Sequence, residues 1–164
     1  MAAVRSRNTK PEILVRRGLH RRGFRFRLGV KNTPGRPDLV LPARGAVIFV
    51  HGCFWHGHTC HLFRLPHTRR EFWENKIETN RDRDARVIGD LADARWRTGI
   101  VWECALRGKL RRNEEEIFGP LATWLLGSAP AFEIAGHSCS IPVSEYAGNP
   151  SDEFYPPAPV QQER

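Results

Sequence analysis

Apolar residues recur along the first half of the chain with the spacing of short helices and strands. A capping box, Thr9 with Glu12 in TKPE, precedes a partial helical stripe that ends at Gly23, which predicts a helix over residues 9–22. Three short runs typical of strands follow, FRFRLGV, DLVL and AVIFV, with the turn-like segment KNTPGRP after the first. We predict that these runs form a meander of three strands.

The second half adds helices around one further strand. In residues 69–96 apolar side chains recur at helical spacing among charges, which predicts one or two helices that cross the sheet. TGIVWEC then predicts a fourth strand, and RRNEEEIFGPLATWLLG predicts a helix or a broken pair interrupted at Gly119-Pro120. The order α-β-β-β-α-β-α describes an α/β fold with a mixed central sheet flanked by helices.

The pattern fades after Gly127. Residues 128–164 are rich in proline and end in YPPAPVQQER, a composition that disfavours a helix or a central strand. We therefore predict one domain over residues 1–127 and an irregular or disordered tail over residues 128–164.

The net charge of the chain indicates which class of molecule it binds. The chain has 26 Lys and Arg against 18 Asp and Glu, a formal net charge of +8. A polyanion such as nucleic acid is the expected partner, and a solubilising basic surface is the alternative. Glu12 and Asp38 are the only acids of residues 1–60 and are conspicuous there. No apolar run has the length of a membrane span or the form of a secretory signal, so we expect a cytosolic protein.

The segment HGCFWHGHTCH, residues 51–61, carries metal-binding side chains. Cys53, His58 and Cys60 lie close together in sequence, and Cys104 ends the predicted fourth strand. In a reducing compartment clustered cysteines favour metal ligation, and three thiolates with one imidazole suit a structural Zn²⁺. Buried free thiols with surface histidines are the alternative interpretation.

Other residues nearby suggest catalysis and base stacking. His51 and His56 can transfer a proton or hold a phosphate. Asp38 opens the DLVL run, where it can bind Mg²⁺ or serve only as a turn residue. The aromatic residues that suggest stacking on bases are Phe54, Trp55 and Trp73.

Six segments, in this order, resemble the very short patch repair (Vsr) DNA mismatch endonucleases: NTKPE, PGRPDLVLP, AVIFVHGCFWHGHTC, EFWENKI, NRDRD and VWECAL. The resemblance implies a fold related to the type II restriction endonucleases (PD-(D/E)xK-related) with a structural zinc site. It also implies a Mg²⁺-dependent nick 5′ to the thymine of T:G mismatches, which arise when 5-methylcytosine deaminates and which very short patch repair corrects.

The resemblance further implies a monomer that acts on double-stranded DNA in the bacterial cytoplasm, associated with the nucleoid, with mismatch-repair proteins and a DNA polymerase acting downstream. One alternative is a Vsr-like restriction or nicking endonuclease that acts on fully paired, sequence-specific DNA. Another is a non-catalytic zinc module that only binds DNA, which the two acids disfavour because carboxylates near phosphate are costly without a cation.

Individual roles follow from the resemblance. Asp38 matches a metal-binding aspartate, with the backbone carbonyl of Val50 as the second Mg²⁺ ligand, and Glu12 matches a glutamate of the metal's water shell. His51 and His56 match the two active-site histidines. The implied zinc ligands are Cys53, His58, Cys60 and Cys104. The implied DNA wedge consists of Phe54, Trp55 and Trp73 in the major groove and of Met1 and Val4 in the minor groove.

Overall fold

A four-stranded mixed sheet lies between helices on its two faces. The computed structural model describes residues 8–138. The strands, in their order across the sheet, are β1 (Leu39–Leu41), β2 (Ala46–His51), β3 (Arg97–Trp102) and β4 (Ala131–Ile134). The helices are α1 (Lys10–Arg21), α2 (Arg70–Asp93), α3 (Glu103–Leu106) and α4 (Glu114–Leu126), and a short 3-10 turn spans Pro42–Arg44. The predicted α/β class with a mixed sheet flanked by helices is confirmed.

The two faces of the sheet pack against different helices. β1 runs antiparallel to β2, whereas β2, β3 and β4 are parallel. Alternate side chains of a strand point to opposite faces. Val47 and Phe49 pack with Leu91 of α2, while Ala46 and Ile48 pack with residues of α1 and α4. Because β2 is covered on both faces, its sequence AVIFV is almost continuously apolar.

Helix α1 begins at Thr9, the N-cap residue of the TKPE sequence. The Thr9 hydroxyl accepts a hydrogen bond from the Glu12 backbone N–H (3.4 Å) and donates one to the Glu12 carboxylate (2.8 Å). The predicted helix over residues 9–22 is therefore confirmed, within one residue at each end.

Helix α2 is the crossover between the parallel strands β2 and β3. It is a single helix of 24 residues, which agrees with the prediction of one or two helices crossing the sheet. Within residues 8–138 no helix is both long enough and apolar enough to span a membrane.

Helix α4 corrects the interruption predicted at Gly119-Pro120. The helix runs unbroken from Glu114 to Leu126 with Pro120 inside it. Proline removes a backbone hydrogen bond, but a complete capping box, Asn113 with Glu116, stabilises the first turn. The core also holds the side chains on both sides of the proline, which are Ile117, Phe118, Leu121, Trp124 and Leu125. Tertiary packing therefore overrides the local signal.

The run FRFRLGV is not a strand, so the predicted three-stranded meander is wrong. Only Arg27 pairs with β1, through reciprocal backbone hydrogen bonds with Val40 of 2.8 and 3.0 Å. Gly29 follows with φ of +63°, outside the extended region, and ends the pairing. The alternation of apolar and basic residues in this run therefore corresponds to a single β-bridge rather than to a strand with continuous pairing.

Strand β4 lies in the segment that the composition predicted to be irregular. Residues Ala131–Ile134 pair in parallel with β3, and Ile134 is buried in the main core. For these four residues the prediction is wrong, because an edge strand draws its stability from the neighbouring strand and needs little local pattern. Residues 139–164 lie outside the described residues, and the division of the chain after residue 127 stays a prediction.

Buried Arg97 secures the connection from α4 to β4. Its guanidinium donates hydrogen bonds to the carbonyls of Trp124 (2.8 Å), Gly127 (2.9 Å) and Leu125 (3.1 Å). These carbonyls lie in the last turn of α4 or just beyond it, where no further helical turn supplies N–H groups, although the Trp124 carbonyl also accepts from the Gly127 N–H (3.2 Å). The contact holds the chain where it turns from the helix into the last strand.

Candidate active site and metal centre

The candidate site lies at the carboxyl ends of β2 and β3. His51, the last residue of β2, is directly opposite Trp102, the last residue of β3. Their side chains share the face that α2 covers, since His51 has the same parity as Val47 and Phe49. The loop that follows β2 and the short helix α3 that follows β3 therefore meet at this edge, a common position for ligand sites in open α/β sheets.

Four side chains converge there to form what we call the thiol–imidazole cluster. One ligand atom from each of them lies within 4.8 Å of the others, and they are Cys53, His58, Cys60 and Cys104. The three thiols are unpaired by disulfides. The sequence prediction that these residues come together is confirmed, and the cluster can hold one metal ion.

Backbone N–H groups donate hydrogen bonds to two of the sulfur atoms, and such bonds stabilise the thiolate form. The Gly136 N–H donates to Cys104 Sγ (3.3 Å), and the Leu62 N–H donates to Cys60 Sγ (3.4 Å). A hydrogen bond from the Cys53 thiol lowers the pKa of Cys104, and the same contact raises the pKa of Cys53. The pair thus shares a proton that a metal ion would displace.

Helix α2 fixes the conformation of the loop. Buried Asn80 donates a hydrogen bond to the backbone carbonyl of Trp55 (2.9 Å). Gly57 has φ of +62°, and a Cβ atom at this position would lie 2.7 Å from Ile77. The loop therefore needs glycine both for its backbone angle and for its close approach to the helix.

His51 and His56, which we call the histidine pair, stack face to face. Their ring centroids are 3.8 Å apart and their planes differ by 4°. His56 Nδ1 is hydrogen bonded to Asp84 Oδ2 on α2. Burial, together with neighbouring His56, lowers the pKa of His51 to about 3. His51 is therefore a neutral imidazole near pH 7.

Asp84 is the site residue that sequence analysis missed. It lies in the segment NRDRD, one of the six that carry the family resemblance. An aspartate in a charged helix is ordinarily a solvated residue, so nothing local distinguished it from Asp82. Only the packing of α2 across the loop places its carboxylate beside His56.

Asp38 lies close to the end of β2, as the metal-binding hypothesis requires. Its Oδ2 accepts a hydrogen bond from the Val50 N–H (2.7 Å). Burial raises the pKa of Asp38 to about 6, the Val50 N–H opposes this shift, and the negative charge of Glu12 adds to it. Asp38 is thus a partly buried acid in contact with β2, and its role is not limited to the turn before β1.

Glu12 faces the same region from α1. It is 5% exposed. Its carboxylate accepts hydrogen bonds from the Asn8 N–H (3.0 Å), from the Thr9 hydroxyl and from Arg16 (2.7 Å). The N-cap interaction therefore positions an acid within electrostatic range of Asp38 as well as starting the helix.

Five aromatic side chains form a surface cluster beside the histidine pair. Phe54 packs edge to face against Trp55 and Trp73, with centroids 5.2 and 5.4 Å apart. Trp55 is 38% exposed, and Phe72 beside Trp73 is 48% exposed. The complete aromatic cluster consists of Phe54, Trp55, Phe63, Phe72 and Trp73.

The structure thus brings together most of the side chains that the sequence singled out. The wedge residues Phe54, Trp55 and Trp73 are in mutual contact. Met1 and Val4, predicted as minor-groove contacts, lie outside the described residues.

Comparisons with known proteins show two kinds of relative. A family model described as DNA mismatch endonuclease Vsr matches residues 1–62. The DNA mismatch endonuclease Vsr of Escherichia coli (strain K12) is 43% identical over 134 residues, which cover 82% of this chain and 86% of the relative. The Type II nicking enzyme V.XorIIP of Xanthomonas oryzae pv. oryzae is 50% identical over 122 residues, covering 73% of this chain and 90% of the relative. The Type II nicking enzyme V.NmeAIP of Neisseria meningitidis serogroup A is 41% identical over 109 residues, covering 66% and 78%.

Proposed function

The chain belongs to the Vsr family and is a DNA endonuclease, and we propose that it nicks DNA 5′ to the thymine of T:G mismatches in a Mg²⁺-dependent, strand-specific reaction. These mismatches arise by deamination of 5-methylcytosine, and the nick would initiate very short patch repair. The observation that carries the proposal is that Trp55, an exposed ring of the aromatic cluster, is followed directly by His56 of the histidine pair. The loop after β2 would thus supply both a ring that contacts the base stack and a histidine that acts at the phosphate.

The acids suit Mg²⁺, which prefers hard oxygen ligands. Burial raises the pKa of Asp38, and the like charge of Glu12 adds to the shift. A bound cation would relieve this repulsion. We assign Asp38 and the backbone carbonyl of Val50 as the Mg²⁺ ligands and Glu12 to its water shell. When bound, Mg²⁺ supplies an activated water and stabilises charge on the phosphate and the leaving oxygen.

The histidine pair would move protons around the attacked phosphate. Asp84 accepts from Nδ1 of His56, which leaves Nε2 free to take a proton from the attacking water or to donate one to a phosphate oxygen. His51 is neutral, so it can accept or donate one hydrogen bond without adding charge. Asp84 orients His56 and stabilises its protonated form, as a carboxylate does in other histidine dyads.

The wedge residues would recognise the mismatch because a mismatched base pair is easier to distort than a Watson–Crick pair. Phe54, Trp55 and Trp73 would enter the base stack from the major groove, and the minor-groove contacts would come from Met1 and Val4. Inserting side chains between bases costs unstacking energy. A T:G wobble pair distorts at lower cost than a Watson–Crick pair, so wedging favours mismatched duplex.

The thiol–imidazole cluster suits structural Zn²⁺. Two ligands of one tetrahedral Zn²⁺, with bonds of about 2.3 Å to sulfur and about 2.0 Å to nitrogen, lie about 3.5 Å apart. Cys104 Sγ and His58 Nδ1 are 3.6 Å apart. With Cys53 and Cys60 the ligand set is complete, so this metal would brace the loop and take no part in the reaction.

We also propose the fold relationship to the type II restriction endonucleases, with a monomer acting on double-stranded DNA. Mismatch-repair proteins and a DNA polymerase would act after the nick. The alternative function is a nick at a fixed sequence in fully paired DNA. The names of two relatives, both Type II nicking enzymes and one of them 50% identical, favour it.

Cleavage of three matched duplexes tests the two functions. Duplexes that differ only in one T:G, U:G or C:G pair, within a randomised flank, are incubated with the protein and Mg²⁺, and nicks are separated from double-strand breaks on denaturing and native gels. The proposal expects a nick 5′ to the mismatched thymine and none in C:G duplex. Equal nicking of C:G duplex would contradict it in favour of the alternative. Asp38→Ala, with folding and zinc content checked, is the inactive control.

A further inference from the structure

The indole of Trp102 lies between the thiol–imidazole cluster and the histidine pair. One face of the indole stacks on His58, with ring centroids 4.2 Å apart and planes 18° apart. Its edge contacts His51 at 5.3 Å and 72° and approaches His56 at 6.3 Å and 74°. Trp102 is 7% exposed, so it is enclosed by these rings. One side chain therefore contacts both candidate centres.

The orientation of His51 depends on these ring contacts. Among residues 8–138 we find no hydrogen bond to either ring nitrogen of His51. Its ring is instead held by Phe49, by His56 and by Trp102. Edge-to-face and stacked ring pairs stabilise a defined geometry but restrain rotation less strongly than a hydrogen bond. Whatever fixes Trp102 therefore also fixes His51.

Glu133 on the edge strand β4 fixes the indole. The Nε1–H of Trp102 donates a hydrogen bond to Glu133 Oε1, with a separation of 2.5 Å. Glu133 pairs with Ile100, two residues before Trp102, so the contact is a diagonal one across neighbouring strands on one face of the sheet. A hydrogen bond to a carboxylate is about twice as strong as one between neutral groups.

We propose that Trp102 and Glu133 are positioning residues that set the orientation of the histidine pair relative to the thiol–imidazole cluster. Glu133 fixes the indole by a hydrogen bond. The indole in turn restrains the rings of His51 and His58, which contact it. The ring of His56 is restrained through its stacking on His51. Strand β4, which has no direct contact with the proposed phosphate site, would thus act on the reaction through Trp102. The activity part of the test rests on the proposed function, and the spectroscopic part does not.

Four variants separate positioning from simple structural support. Glu133→Ala removes the acceptor, whereas Glu133→Gln keeps one. Trp102→Phe keeps a ring against His58 and loses the donor. Trp124→Phe is the matched control, because this buried indole also donates a hydrogen bond, to the carbonyl of Ala129 (2.8 Å), but lies in the core on the other face of the sheet.

The first measurement is nicking by the metal-loaded protein, with zinc content and thermal stability recorded for each variant. We expect Glu133→Ala and Trp102→Phe each to lower kcat about tenfold with KM unchanged, since small misplacements of reacting groups are costly. The double variant should be no slower than either single one, because both break the same link. Glu133→Gln should lose less activity than Glu133→Ala, because its amide oxygen still accepts a weaker hydrogen bond, and Trp124→Phe should nick at the wild-type rate.

The second measurement is NMR of the histidine ring resonances without DNA. Glu133→Ala should shift the signals of His51 and His56, while Trp124→Phe leaves them in place. Unchanged signals and wild-type kcat in Glu133→Ala would overturn the proposal, as would additive losses in the double variant or a loss of activity that only tracks a loss of zinc. If the wild type nicks no T:G duplex, the proposed function fails, yet the NMR comparison still decides the positioning role.

Discussion

The rings of His51 and His56 stack in parallel, 3.8 Å apart, and only His56 has a carboxylate partner. Two imidazolium ions at this distance would repel each other strongly. The two rings therefore differ in environment, because burial keeps His51 neutral near pH 7 while the Asp84 carboxylate contacts His56. This asymmetry underlies the first prediction.

Replacing Asp84 by asparagine should lower the nicking rate about a hundredfold or more, because His56 loses a negatively charged partner and the amide can turn its NH2 group toward Nδ1, which favours the wrong tautomer of the ring. Single-turnover nicking at saturating enzyme measures the rate, and DNA affinity should change little. Asp82→Asn, two residues away on the exposed side of α2, is the matched control. A wild-type rate in Asp84→Asn would remove Asp84 from the site.

The stability of the protein without Mg²⁺ should depend on pH because Asp38 titrates differently in the folded and unfolded states. The folded-state pKa of Asp38 is raised from 3.8 to about 6, so the folded state holds its proton more tightly than the unfolded state. Stability from this group is therefore lost as the pH rises between these two values. His51 titrates with the opposite sign, since its pKa is lowered from 6.5 to about 3.

Comparison with Asp38→Asn isolates the effect. Denaturant midpoints measured from pH 4 to pH 7 should fall for the wild type relative to Asp38→Asn as the pH rises, and added Mg²⁺ should reduce the difference at pH 7. A difference that is independent of pH would contradict the assignment of Asp38 as a buried, repelled acid.

Replacing Cys104 by alanine should release the metal and destabilise the fold, because it removes one of four ligands and a structural zinc site contributes folding free energy directly. Metal analysis and thermal denaturation check both effects together. Chelator treatment of the wild type should reproduce the lowered transition. A variant that retains one zinc per chain and an unchanged transition would disprove the ligand set.

Trp55→Ala should weaken mismatch discrimination while leaving stability nearly unchanged, since the side chain is exposed. Stacking on a base contributes about 1–3 kcal/mol, so kcat/KM on T:G duplex should fall about tenfold to a hundredfold. Leu126→Ala is the control, because this exposed apolar residue lies at the end of α4. Equal losses in both variants would argue against a wedge.

Features with local signals were predictable from the sequence. The capping box at Thr9 marks α1 correctly, and the thiol–imidazole cluster was identified from the family motif and comes together in space. Asp84 was missed because its role depends on how α2 crosses the loop, which no neighbouring residue encodes. Strand β4 was missed because it is stabilised by pairing with β3. Helix α4 passes through Pro120 because buried neighbours outweigh one lost hydrogen bond.

The thiol–imidazole cluster draws its ligands from both sides of the α2 crossover, three from the loop after β2 and Cys104 from the segment after β3. Contacts between distant parts of a chain form late in folding, because the intervening loop must close first. The four side chains can thus come together around one metal ion only after β3 has docked beside β2. Assembly of the complete ligand set therefore reports that the crossover has closed.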